Sequence, residues 1–401
     1  MSTEMTEATT RVLPTPDAAA AGLNVDALAR LRESIQRDID SGLHFGANVL
    51  IARGGVVGFH EAIGSADPDG RPAALDDLFL LMSTSKAFTA TAVLRLVDHG
   101  LLELDTRIAD VMPEYAARGK RRVTVRHLLT HTGGSYFNHD IASLLTFKNA
   151  GDLSAAARFL SELPIAHRPG ARVIYSPFEG FTILGELLCR LDERGRPFRQ
   201  ILAEDVFAPL GMADTSFGAP LDHPRRVPVR IPNPNAGAAQ STELMEGFNV
   251  FADEAYEFPA GGAFSTTSDL FTFAETLRVG GTLGETRLLS RSLLEFAQRN
   301  HTGDAVNEFW DFNREAADLD DFPGNFSLLG GYVRDSGYHL TPLGLTASPR
   351  AFGAVGSGTT MWMVDPDREL TVVFLSAGLV EGLRHFRRLQ RISDLSLAAV
   401  Q

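Results

Sequence analysis

Ser83, Thr84, Ser85 and Lys86 set a hydroxyl and an amine three residues apart where an apolar run passes into a helix-forming one. Residues i and i+3 share a helix face, so the Lys86 side chain is expected to lie over the Ser83 hydroxyl. A serine hydroxyl is a weak nucleophile alone and becomes reactive beside a base within hydrogen-bond reach. A lysine that is desolvated, or close to another positive group, loses enough basicity to be that base. A helix N-terminus adds backbone N–H groups and a positive dipole end beside a developing oxyanion. Together these point to attack on a carbonyl and a serine-linked acyl intermediate. The alternative is that Ser83 merely caps the helix. Lysine is otherwise scarce: the chain has only Lys86, Lys120 and Lys148.

These residues need a scaffold, and the pattern of the chain predicts one. Residues 1–21 read as a flexible tail. VDALARLRESIQRDIDSG carries Leu28, Leu31, Ile35 and Ile39 at helical spacing and stops at Gly42. GANVLIARG and VVGFHEAIG meet at Gly54-Gly55, a hairpin signal. LFLLM leads into Ser83, and KAFTATAVLRLVDHG continues as a helix ended by Gly100. VTVRHLLTH, LSAAARFLSEL, FTILGELLCRLDERG, FRQILAEDVFAPLG and TSDLFTFAETLRVGG read as helices, and the Pro- and Asn-rich stretch 219–248 as a surface loop. Strands return in GNFSLLGGYVR, GTTMWMVDP and ELTVVFLSAG, and LRHFRRLQRISDLSLAAV is a closing helix. The expectation is an α+β chain with a catalytic unit over 22–401. Its sheet part comes from about 22–82 and 325–401, with a helical part over about 83–324 between them.

The 401 residues are 44% hydrophobic and 22% charged, an ordinary globular balance. A net charge of −13 argues against a broad basic face for nucleic acid or anionic membrane. The start has no basic region followed by an apolar stretch of signal length, so a cytoplasmic location is expected. A single cysteine, Cys189, lies on an apolar helical pattern and reads as a packed thiol; it forms no disulfide within the chain.

The surroundings of Ser83 carry a resemblance. FLLMSTSKAFTATAVLRLVDHGLLELD, VTVRHLLTHTGG, YSPFEGFTILGELLCRL, FPAGGAFSTTSDLFTFAETLRVGG and WMVDPDRELTVVFLS follow one another in order. This series resembles the serine β-lactamase-like family, which includes class C β-lactamases, D-amino-acid peptidases, carboxylesterases and acyltransferases of natural-product pathways. The resemblance implies a β-lactamase/transpeptidase-like fold: an antiparallel sheet flanked by helices, plus a helical domain. It implies that Ser83 is the nucleophile of an S-x-x-K motif with Lys86 as its partner. Tyr175 matches the tyrosine of Y-x-N, which shuttles the proton with the lysine. The shuttling form is phenolate or phenol; a nearby ammonium favours tyrosinate, so a Tyr here can act as a base near neutral pH. Gly356-Ser357 matches the third motif, so the backbone N–H groups of Ser357 and Ser83 would form the oxyanion hole. No metal or cofactor is implied.

Two departures narrow the reading. Pro177 stands where Y-x-N has Asn and offers no side-chain partner. The third motif reads Ala354-Val355-Gly356, without a lysine to meet a β-lactam carboxylate. Both argue against efficient β-lactam hydrolysis and leave acyl-enzyme formation intact. Arg350 is a weaker source of that charge. Tyr136, Phe137, Phe178, Trp310 and Trp362 are candidate pocket aromatics, each equally placed to be core; Gly356, Tyr136, Phe178 and Trp362 are taken as substrate-binding. His127 and His131 have i, i+4 metal-ligand spacing but lack an adjacent Glu, so packing is favoured. The absence of G-x-S-x-G argues against a Ser-His-Asp hydrolase. The expected function is a serine hydrolase of carboxylesterase type acting through an acyl-enzyme on a small ester or amide. An acyltransferase or amide hydrolase using the same intermediate, and a non-catalytic binding protein, are the alternatives.

Overall fold

The computed structural model describes residues 13–135, 147–232 and 242–401. Its first helix, α1 (Val25–Asp40), starts where the Asn24 side chain accepts the Ala27 N–H. The face bearing Leu28, Leu31 and Ile35 is buried. Strands β1 (Gly46–Arg53) and β2 (Val56–Gly64) follow as the expected hairpin, with Gly54 and Gly55 both at positive φ.

The main sheet has the order β2-β1-β11-β10-β9-β8. Its other members are β8 (Tyr332–Val333), β9 (Phe352–Gly356), β10 (Thr360–Asp365) and β11 (Leu370–Ala377). Every neighbouring pair is antiparallel, and β1 lies on β11 in a register that opposes Gly46 to Ala377. Both faces are buried. One, with Val49, Ile51, Met361, Met363, Val372 and Phe374, packs on α1 and the closing helix α5 (Gly382–Leu397). The other, with Leu50, Ala354, Trp362, Val364, Val373 and Leu375, faces the core around α2 (Lys86–Asp98) and α4 (Thr267–Arg278). Between those two helices comes the long apolar α3 (Glu179–Leu191). A second, three-stranded sheet orders β3 (Phe79–Leu80), β5 (Ala263–Ser265) and β4 (Ser216–Phe217) as β3-β5-β4. A two-strand hairpin, β6 (Thr282–Leu283) with β7 (Thr286–Arg287), follows α4.

Three details differ from the sequence expectation. Residues 17–21, assigned to the tail, are pinned to the sheet side: Asp17 N–H donates to the Val57 carbonyl, Ala21 N–H donates to the Asp17 carbonyl, and Ala21 is buried. Residues 1–12 lie outside the described residues. The GNFSLLGGYVR run gives only the two-residue β8, because Asn325 and Gly330 at positive φ fold it into a turn closed by Ser327 N–H on the Gly331 carbonyl. The described parts of 219–248, residues 219–232 and 242–248, are less loop-like than their composition suggests, and 233–241 lie outside the described residues. Val227, Val229 and Ile231 are buried, Arg226 donates to the carbonyls of Ala219, Phe248 and Ala252, and Thr242–Glu246 and Phe248–Phe251 are short helices.

Candidate active site

Strand β3 ends at Leu80, and residues Met82–Ser85 form one tight helical turn that runs directly into α2. Met82, immediately before Ser83, has φ 51, a left-handed conformation that a non-glycine side chain rarely takes without surrounding support. That support is visible. The Thr360 hydroxyl on β10 donates to the Leu81 carbonyl at 2.7 Å and lies 3.0 Å from the Thr84 hydroxyl. Behind the turn, Ser85 Oγ accepts the Ala263 N–H at 3.0 Å. Ser83 itself makes no helix-capping bond, since the cap position before α2 is Ser85.

Lys86 Nζ lies 3.1 Å from Ser83 Oγ, as i, i+3 spacing predicts. It also donates to two backbone carbonyls, Pro177 at 3.1 Å and Ala260 at 2.8 Å. The side chain is fully buried, and burial holds its amine well below the usual lysine range. Pro177, noted for lacking the side chain of Asn, therefore contributes through its main chain. The carbonyl of Ala260 arrives on the Phe258–Gly262 segment, anchored along α2 by the Thr89 hydroxyl on the Pro259 carbonyl at 2.9 Å.

Tyr175 stands just before α3, half-buried, with its side chain hydrogen-bonded to Ser83. Its backbone is fixed on both sides. Ile174 N–H donates to the His131 carbonyl, Tyr175 N–H to Asn307 Oδ1, and Ser176 N–H to His131 Nδ1. The buried His131 ring also packs on the Tyr175 ring, 4.5 Å between centroids. Of the two forms expected for Tyr175, the surroundings favour the phenol over the phenolate. Burial raises the Tyr175 phenol above its ordinary value, and burial has already weakened Lys86 as a cation that could oppose it.

Gly356 ends β9 against the Met82–Ser85 turn. A Cβ at Gly356 would come within 2.1 Å of both the Leu81 carbonyl oxygen and Thr360 Oγ1, so only glycine permits this approach. Ser357 begins the β9–β10 turn, half-exposed. Phe178, expected in the pocket, is buried and stacks on Phe258 with centroids 5.6 Å apart. Trp362 does not face the cleft. It is 1% exposed, wedged edge-on between Phe273 of α4 and Phe352 of β9, and this placement corrects the expectation that it binds substrate. Trp310 packs against Phe386 of α5. Tyr136, Phe137 and His139 lie outside the described residues. Arg350 is half-exposed and paired with Asp367, away from the turn that carries Ser357.

The remaining candidates are occupied structurally. His127 Nδ1 accepts the Thr124 N–H in a capping box, while His131 serves Ser176, so the two rings hold different partners. Lys120 donates to the Leu163 carbonyl and lies over the Tyr115 ring. Burial pushes the Cys189 thiol up to about 12. Asn307 and His131 escaped notice in the sequence as positioning groups. The only signal was the H-T-G-G turn after a helical run.

The fold and this cluster define a class. A family model described as Beta-lactamase matches residues 31–396, and the chain belongs to that family. It is 30% identical to Esterase EstB of Burkholderia gladioli over 310 residues, 69% of this chain and 76% of that protein. It superposes on a penicillin-binding protein homolog from Caulobacter crescentus with a TM-score of 0.73 and 25% identity, covering 94% of this chain and 99% of that one. EstCE1, described as a hydrolase with promiscuous acyltransferase activity, gives a TM-score of 0.72 at 24% identity over 92% and 98% of the two chains. The α+β fold and the family implied by the motifs both hold. No helix among the described residues is long and apolar enough to cross a membrane.

Proposed function

We propose that this protein is a serine hydrolase of carboxylesterase type, acting on a small ester through an acyl-enzyme on Ser83. One observation carries the reading: Lys86 Nζ meets Ser83 Oγ at 3.1 Å while two carbonyls occupy its other directions. A neutral amine has two N–H bonds, which serve Pro177 and Ala260, and one lone pair, which is left for the Ser83 O–H. Burial favours that neutral form.

In the acylation step the Ser83 oxygen bonds to the ester carbonyl carbon as its proton passes to Lys86 Nζ. The carbonyl π-electrons move to oxygen, where the backbone N–H groups of Ser83 and Ser357 would receive them. Collapse breaks the bond to the alkoxide. Tyr175, held as a phenol beside Ser83, is suited to deliver a proton to that leaving oxygen, with Lys86 replenishing it. Water then attacks the acyl-enzyme by the same path reversed. The 30% identity with an esterase over most of the chain supports an ester as substrate.

The test is intact-mass spectrometry with p-nitrophenyl butyrate and a fluorophosphonate. A Ser83-dependent adduct and ester turnover are expected, both lost in Ser83→Ala. Full activity in Ser83→Ala would sink the proposal. Turnover that requires an added alcohol or amine would replace hydrolysis with acyl transfer.

A further inference from the structure

Behind the β9–β10 turn lies a buried cation that makes no ion pair among the described residues, with Asp38 as an opposing charge beyond ion-pair distance. Arg388 of α5 is 1% exposed, and among the described residues its Nε and Nη1 find no hydrogen-bond acceptor. Burial draws the guanidinium down to about 9, which still leaves it cationic at neutral pH. A buried charge that only the more distant Asp38 offsets costs stability, so its directed contacts call for a reason. They all come from Nη2, whose two hydrogens are shared among the Gly358 carbonyl at 3.0 Å, Ser376 Oγ at 3.1 Å and His385 Nδ1 at 2.9 Å. The Phe374 ring lies beneath, 5.1 Å from the guanidinium carbon.

His385 is one helical turn earlier on α5, and its two nitrogens have fixed roles. Arginine donates only, so Nδ1 accepts. Nε2 lies 3.0 Å from the Gly356 carbonyl oxygen, which accepts only, so Nε2 carries the proton. Both ends demand the same neutral tautomer, and burial beside Arg388 disfavours the charged one. The Gly356 carbonyl also accepts the Thr359 N–H at 3.3 Å.

The Gly356 carbonyl and the Ser357 N–H belong to one peptide group. Drawing electron density toward the carbonyl oxygen makes the N–H at the other end a stronger donor, and chains of hydrogen bonds reinforce one another in this way. We propose that Arg388, acting through His385, polarises the Gly356–Ser357 peptide and strengthens its N–H as a donor to the oxyanion formed at Ser83. Arg388 and His385 are positioning residues in this scheme. It rests on the assignment of Ser83 as nucleophile and Ser357 N–H as oxyanion donor.

A purely structural role would lower stability without changing the bond order of an acyl carbonyl held in the hole. The experiment is therefore stopped-flow infrared spectroscopy of the acyl-enzyme formed with carbonyl-labelled p-nitrophenyl butyrate, together with kcat, KM and thermal melts. In His385→Leu and Arg388→Met the acyl carbonyl stretch is expected to rise in frequency. kcat is expected to fall about 10-fold while KM moves less than about threefold, a fraction of what deleting an oxyanion donor costs. His385→Gln keeps a donor toward Gly356 and is expected to recover most of both signals. Arg388→Lys keeps a cation and is expected to give a smaller shift in the same direction, which carries the test if the truncations do not fold. An unshifted stretch in any folded His385→Leu, Arg388→Met or Arg388→Lys protein would overturn the relay and leave the nucleophile assignment standing. Absence of any Ser83-dependent acyl-enzyme in the wild type would overturn both.

Discussion

His131 Nδ1 accepts the Ser176 N–H at 3.1 Å, one residue beyond the tyrosine that reaches Ser83. The same residue takes the Ile174 N–H on its backbone carbonyl, so Tyr175 is bracketed by a single side chain and its own main chain. His131 has φ 57, in the left-handed region, where Asn is tolerated and Ala is strained. His131→Ala removes the acceptor and the ring under Tyr175. An expected stability loss of about 3 kcal/mol combines a cavity with an unpaired buried N–H. His131→Asn, which keeps a short polar side chain and suits the backbone, is expected to lose clearly less. Urea denaturation with kcat for both variants checks this; equal losses would contradict the bracket.

Lys86 is the second target. Lys86→Met is expected to lower kcat/KM on p-nitrophenyl butyrate by about 10³-fold or more, within the usual range for a positioned base. Lys86→Arg is expected to be no better, because a guanidinium does not give up its proton. Rescue by arginine would show that charge, and not proton acceptance, matters at this position.

The buried amine also predicts two pH dependences. Its folded value lies well below the unfolded 10.5, so activity should persist at neutral pH and fall only as acid protonates Lys86. An acidic limb near 10.5 in the kcat/KM profile would refute a lowered value. For stability, the unfolded chain binds the extra proton throughout the window between the two values. Folding stability from this group therefore rises with pH across that window and levels off above 10.5. Lys86→Met should lack that rise, as denaturant titrations at several pH values would reveal.

Gly356→Ala tests the contact between β9 and the nucleophile turn. Its methyl would meet the Leu81 carbonyl oxygen, which is backbone and cannot swing aside. A loss of about 3 kcal/mol in stability, with at least a 10-fold drop in kcat, is expected from overpacking at this point. A folded, fully active Gly356→Ala would mean that the strand approaches Leu81 less closely than the structure indicates.

Part of the site was legible because part of it is local. Ser83 and Lys86 touch through helical periodicity, which needs no knowledge of the rest of the fold. Tyr175 could be found only through the resemblance, since nothing in its own neighbourhood distinguishes it from a core aromatic. The carbonyls of Pro177 and Ala260 carry no sequence signal at all: every residue has one, and tertiary packing alone decides which two reach Lys86. Trp362 illustrates the opposite error. It shares the face of Thr360 on β10, yet strand geometry carries it about 7 Å further from the turn and into the layer occupied by Phe273. His385 and Arg388 carry no signal in the sequence: an i, i+3 pair of basic residues usually faces water, whereas α5 turns these two toward the sheet, where both are buried.

The pairing of β1 with β11 has a consequence during synthesis. Ser83 and its helix leave the ribosome long before β9, β10 and β11, which supply the opposing wall of the site and hold Leu81 in place. Until those strands emerge, the Met82–Ser85 turn has neither its strained conformation supported nor Gly356 alongside. A nascent chain stalled before residue 352 would thus carry Ser83 on a turn that the strands from the far part of the sequence have yet to hold.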